Sequence, residues 1–190
     1  MPSDAHRTAR RPSRLVPVAV AVVATGCGGG GHQAQPPPGP AAALHVSIAG
    51  VAPGGTLPRS ATCAGAGHSP ALSWSRPPSG TRALALVVTD PDAPSGTFTH
   101  WTVWNVSPGD RGFSAGAAPS GSRQGRNSTG RLGWTPPCPP PGDPPHRYVF
   151  TVVALRRTLP LAAGAPPAAV QRALAAAVVA RGRAVARFGR

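Results

Sequence analysis

Residues 83–94 read Ala-Leu-Ala-Leu-Val-Val-Thr-Asp-Pro-Asp-Ala-Pro. The run Ala83 to Thr89 has no charge and no break, which suits a strand buried on both faces. It stops abruptly at Asp90, where proline and aspartate force a turn. Three further stretches support strands. Tyr148 to Leu155 (YVFTVVAL) and His100 to Val106 (HWTVWNV) are rich in β-branched and aromatic residues. Leu44, Val46 and Ile48 alternate with polar or small neighbours, as in a half-buried strand. Turn formers separate all four. Near the end, after Pro166-Pro167, Val170, Ala173, Leu174, Ala177 and Val178 fall at helical spacing. The pattern predicts a mainly β protein: an antiparallel β-sandwich of two sheets with a C-terminal helix.

The residues before this domain read as an address. Arg7, Arg10, Arg11 and Arg14 form a basic head, and Leu15 to Thr25 is apolar. Eleven residues are too few for the roughly 20 that cross a bilayer as a helix, so residues 1–26 are expected to be a secretory signal. Ala24-Thr25-Gly26-Cys27 resembles a bacterial lipobox, with Ala24 where leucine is usual. Cys27 is therefore the expected lipidation site. Residues 27–43, with four glycines and Pro36-Pro37-Pro38-Gly39-Pro40, read as a tether. Residues 44–190 are the expected folded domain.

The charge pattern is narrow. All 19 basic residues are Arg and all five acidic residues are Asp, for a net charge of +14. Without Glu or Lys for wet helical faces, a helix bundle is disfavoured. The arginines are scattered, and no basic cluster interleaves with aromatics, so no nucleic-acid partner is expected. Arg, Ala, Gly and Pro all have GC-rich codons, and a GC-rich genome accounts for the excess.

Chemistry concentrates around the strand ends. Asp90-Pro91-Asp92-Ala93-Pro94 closes the buried strand and His100-Trp101 comes next, on the neighbouring strand. Pro137-Cys138-Pro139-Pro140 comes far downstream, before His146-Arg147-Tyr148 opens the strongest strand. His146 and Tyr148 are two apart and share a strand face. Two imidazoles and a phenol could donate to phosphate oxygens. Asp90 would repel an anion directly, so it is better used accepting from a histidine and raising its pKa. Asp92 reads equally as a turn former or a ligand contact. Asn127-Ser128-Thr129 matches a glycosylation sequon, taken as chance. The chain has no GxSxG, no HExxH and no zinc spacing, so neither catalytic residues nor a metal or cofactor is expected.

The ordered set of motifs resembles the phosphatidylethanolamine-binding protein family, and within it the bacterial Raf-kinase-inhibitor-like branch. The resemblance rests on DPDAP, His100-Trp101, the proline run at 137–140 and His146-Arg147-Tyr148. Thr62-Cys63, Ser69 to Trp74, Gly125-Arg126-Asn127 and Gly130 to Trp134 add to it, and the tail Ala173 to Phe188 resembles the family's last helix and terminal aromatic. Ala64, His68 and Ala176-Ala177 depart from the branch's usual residues. The resemblance covers about residues 44–190. It implies a small anion site, with cis peptides before Pro91 and Pro94. The expected ligand-binding set is Asp90, Pro94, Phe98, His100, Trp101, Cys138, Pro139, Pro140, His146 and Tyr148.

Once Cys27 is lipidated, Cys63 and Cys138 are the two remaining thiols, and export would place them where disulfides form. A Cys63–Cys138 bridge is therefore expected, with a pair of buried free thiols as the alternative. The expected function is binding of a phosphorylated small molecule or phospholipid head group by a protein anchored on the outer side of a membrane. The alternatives are a regulator that inhibits a kinase or protease through a protein partner, and a hydrolase using an Asp–His pair.

Overall fold

The computed structural model describes residues 43–190. The expected signal segment, Cys27 and all of the tether but Ala43 lie outside them. Eight strands and one α-helix run in the order β1 (Val46–Ile48), β2 (Leu72–Trp74), β3 (Ala83–Asp90), β4 (Phe98–Val106), β5 (Gly112–Phe113), β6 (Arg123–Gln124), β7 (His146–Leu155), α1 (Pro167–Ala175) and β8 (Val178–Phe188). They make a three-stranded sheet, β1-β2-β5, and a five-stranded sheet, β6-β4-β3-β7-β8. Pairing within both sheets is antiparallel.

β3 is central in the larger sheet, and its alternation explains the unbroken apolar run. Leu84, Leu86 and Val88 face a core between the two sheets, with Trp101, Phe150 and Val152. Ala83, Ala85 and Val87 face a second core under α1, with Val170 and Leu174. Both faces of one strand are thus buried, as a run without polar alternation requires.

The expected helix is present but short. It starts at Pro167, where a missing N–H costs nothing, and ends at Ala175. The tail beyond it is not helical, contrary to the resemblance. Val178–Phe188 is the longest strand, pairing with β7 from Leu155↔Val178 to His146↔Phe188. The reason is period-two patterning. Ala180, Gly182, Ala186 and Phe188 are buried, while Arg181, Arg183 and Arg187 are exposed. A helix would wrap those arginines around all sides. Gly182 is needed here, because an added Cβ would collide with the Leu44 carbonyl where the chain crosses β8.

Two irregularities interrupt the pairing of β4. Val88 pairs with Trp101 and Thr89 with Thr99, so His100 is an extra residue, a β-bulge. A second register shift lies near Asn105, which takes φ 59°. Its side chain exchanges two hydrogen bonds with the Leu159 backbone, donating at 3.1 Å and accepting at 2.8 Å. That pairing offsets the left-handed backbone, which asparagine tolerates better than most residues.

Candidate functional site

Three neighbouring strands deliver the site. β3 ends in Asp90, β4 carries His100 beside it, and β7 opens with His146 and Tyr148. Pro136, Cys138, Pro139 and Pro140 supply a loop wall, and Ala93, Pro94, Phe98 and Thr135 complete the lining. The cavity opens to the surface and has a volume of about 270 Å³. Nine of the ten residues expected from sequence line it. Trp101 does not. The bulge at His100 turns Trp101 into the core, where it is 2% exposed and donates from Nε1 to the Gln124 side chain at 2.7 Å. Ala93, Thr135 and Pro136 are lining residues that the sequence reading missed. Strand pattern carries no signal for wall residues supplied by a loop.

The DPDAP turn differs from expectation too. The described residues contain no cis peptide bond, so the bonds before Pro91 and Pro94 are trans. An X–Pro bond still favours trans by roughly 0.5–1 kcal/mol. The turn is closed instead by Asp90 Oδ1, which accepts from the Asp92 N–H at 2.8 Å. Asp92 is not a cavity residue. It takes a bidentate hold on the Arg147 guanidinium, with the closest approach 2.6 Å. That hydrogen bonding lowers its pKa to about 2.

The hydrogen bonds assign both histidine tautomers. Asp90 Oδ2 accepts from His146 Nδ1 at 2.8 Å. The Thr135 carbonyl accepts from His100 Nδ1 at 2.7 Å. Each acceptor has no proton to give, so both Nδ1 atoms carry hydrogen. The two rings then diverge. Burial opposes charge on His146, but the Asp90 carboxylate, with Asp143 Oδ2 at 3.7 Å from Nε2, outweighs it and raises the pKa above the ordinary histidine value. Burial dominates at His100 and lowers its pKa, although the Thr135 carbonyl and Asp90 oppose it. Tyr148 is fully buried, its hydroxyl has no partner, and its pKa is raised by burial and then by Asp90.

The wall is held from behind. Cys63 and Cys138 form a disulfide, with Cα atoms 5.3 Å apart. The Cys63 N–H donates to the Pro137 carbonyl at 3.0 Å, and Arg190 Nε donates to the Pro139 carbonyl at 2.7 Å. Thr135 is positioned by Asn127, a residue not assigned a role from sequence. Asn127 Nδ2 donates to the Gly133 carbonyl and the Thr135 hydroxyl, and Oδ1 accepts from the Thr129 and Arg131 N–H groups. At 2% exposure its amide is engaged in the loop, so the sequon has a structural use. The signal that could have found it is the Gly125-Arg126-Asn127 motif itself.

Comparison with known proteins agrees with this architecture. The profile of the phosphatidylethanolamine-binding protein family matches residues 47–189. A UPF0098 protein of Methanothermobacter thermautotrophicus is 40% identical over 141 residues, 72% of this chain and 92% of the relative. The candidate lipoprotein LppC of Mycobacterium tuberculosis is 40% identical over 137 residues, 72% of this chain and 68% of the relative. The crystal structure of Escherichia coli YbcL, described as a member of the mammalian PEBP family, superposes with a TM-score of 0.74 at 33% identity. That match covers 78% of this chain and 99% of YbcL. With its buried two-faced strand, its two sheets and its histidine-lined cavity, this chain belongs to the phosphatidylethanolamine-binding protein family.

Proposed function

We propose that this protein binds phosphorylated ligands, small phosphate esters or phospholipid head groups, in the cavity between Asp90, His100, His146 and Tyr148. In this reading it acts from the outer face of a bacterial membrane. Residues 1–26 direct export, Cys27 carries the lipid, residues 27–43 are the spacer and residues 44–190 the binding domain. The observation that carries the proposal is the convergence of two imidazoles and an unpartnered phenol on one small cavity, with Asp90 favouring charge on His146. The resemblance to LppC, named as a candidate lipoprotein, supports the anchor. Binding is favoured over turnover because Cys138, the sulfur at the wall, is engaged in a disulfide and no serine lines the cavity.

The test is calorimetry or ligand-observed NMR with phosphoethanolamine between pH 7.5 and 6. A charge-assisted bond is about twice as strong as a neutral one, so affinity should rise as His146 gains its proton. His146→Ala and His100→Ala should each weaken binding about tenfold or more, whereas Arg172→Ala on the outside of α1 should leave it unchanged. If no phosphate ester binds at millimolar concentration at either pH, the binding reading fails and inhibition of a protein partner takes its place.

A further inference from the structure

The five-stranded sheet carries a second recess on the face turned away from the cavity. Along β7, His146, Tyr148 and Phe150 are buried on one side, so Arg147, Val149 and Thr151 point to the other. β3 divides in the same way, with Asp90 toward the cavity and Thr89 away from it. On that outer face lies an open groove of about 440 Å³, bounded by α1 and by the turn after β3. Its volume falls within the usual range for ligand sites, about 300–1,000 Å³.

The arginines are scattered along the sequence, and the fold gathers two of them here. β8 alternates at period two, so Arg181 and Arg183 project together into the groove, about 7 Å apart along the strand. Thr151 is the direct cross-strand partner of Arg183. Neither arginine has a carboxylate partner among the described residues. Arg147, further along β7, is neutralised by Asp92. The recess therefore holds two uncompensated positive charges. Beside them are the half-buried hydroxyls of Thr89 and Thr151 and the exposed Gln171 amide of α1, over a valine-lined surface.

That combination selects among anions. A bilayer is broad and flat, and would meet the exposed arginines but not the half-buried hydroxyls. An acidic peptide supplies charge without a set of hydroxyls. Single-stranded nucleic acid needs aromatic platforms for its bases, and no aromatic residue among the described residues lines the groove. Sugar hydroxyls both donate and accept, as threonine and glutamine do. A carboxylate fits the guanidinium fork and brings one negative charge, so two carboxylates balance the two arginines. We infer that this groove binds an acidic saccharide, an oligomer with carboxylates on successive sugar rings. Arg181 and Arg183 hold the carboxylates, and Thr89, Thr151 and Gln171 hold ring hydroxyls. The site lies across the sheet from the cavity and does not depend on the cavity's ligand.

The experiment titrates tetragalacturonate into the full chain at neutral pH, with maltotetraose as the uncharged control and tetraglutamate as the control without hydroxyls. Tetragalacturonate should bind at least tenfold more tightly than either. The Thr89 and Thr151 methyl shifts should move, while the imidazole shifts of His100 and His146 stay in place. Arg183→Gln should weaken binding about tenfold, because a charge-assisted bond is lost, and Thr151→Val about fivefold, through a neutral one. Both substitutions keep the strand's shape. Arg76→Gln, outside the groove, should change nothing. Phosphoethanolamine affinity should stay within twofold in all three variants. A parallel loss of phosphoethanolamine binding would place the effect in the cavity and overturn the separate site. Equal binding of tetraglutamate or of maltotetraose overturns the inference, as does unchanged affinity in Arg183→Gln. Retention on phosphatidylglycerol vesicles without tetragalacturonate binding overturns it too, and assigns the arginines to a membrane surface.

Discussion

Asp90 sets the charge of the cavity by holding His146 Nδ1 at 2.8 Å. Asp90→Asn keeps the shape but removes the charge. His146 should then titrate lower, and phosphoethanolamine affinity near pH 7 should fall several-fold as the charged imidazolium loses population. NMR titration of His146 beside calorimetry checks both; an unmoved midpoint would refute the role. The same pair makes a stability prediction with a definite sign. The folded pKa of His146 is raised, so its contribution is complete below the unfolded value near 6.5 and is lost as pH rises through the folded one. His100, lowered by burial, works oppositely: its contribution is present above about 6.5 and lost as pH falls through its folded value. Asp90→Asn should remove the loss of stability on the alkaline side and leave the acid side sloping. At Asn127 five loop groups share one side chain. Asn127→Ala leaves the Thr129 and Arg131 N–H groups and the Gly133 carbonyl without their partner, and should cost about 2–4 kcal/mol in urea unfolding.

At the scale of elements, the wall from Thr135 to Pro140 has no regular structure of its own and depends on its attachments. The Cys63–Cys138 bridge closes a separation of 75 residues. A loop of that length implies up to about 4.5 kcal/mol by chain entropy. The double variant Cys63→Ser/Cys138→Ser should lower the urea midpoint accordingly. It should also weaken phosphoethanolamine binding several-fold, because the wall loses its tie to the turn at Thr62. Unchanged affinity would mean that Arg190 and Asn127 hold the wall by themselves. Strands β3 and β7 were legible because their runs are long and apolar. β5 and β6, two residues each, are too short for any pattern to register. β8 was legible and misread. Its arginines alternate at period two, but alanine-rich composition and a preceding amphipathic stripe favour a helix.

Across the whole domain, the two cores should be separable. Leu174, on α1, packs against the face of β3 away from the cavity. Leu174→Ala should therefore cost about 2–4 kcal/mol in unfolding while changing ligand affinity less than twofold. The membrane anchor is tested outside the described residues. If Cys27 carries two acyl chains, at about 0.8 kcal/mol per buried CH₂, Cys27→Ala should move the protein from the membrane to the soluble fraction or stall its processing. Unchanged fractionation and an unchanged mature mass would exclude the anchor.

The sequence alone determined four of the strands (β1, β3, β4 and β7), the two-sided burial of β3, the shared face of His146 and Tyr148 and the family. Those properties depend on local period and on motifs that survive without coordinates. Tertiary structure decided three further matters. The bulge at His100, visible only in the pairing of β4 with β3, put His100 in the cavity and Trp101 in the core. The trans DPDAP turn is held by the Asp90 side chain, which serves the Asp92 N–H and His146 together. The proton positions on the two histidines came from partners 35 and 56 residues away along the chain. Hydrogen-bond direction at such separations is set by the packing of the sheet, and no local sequence pattern encodes it.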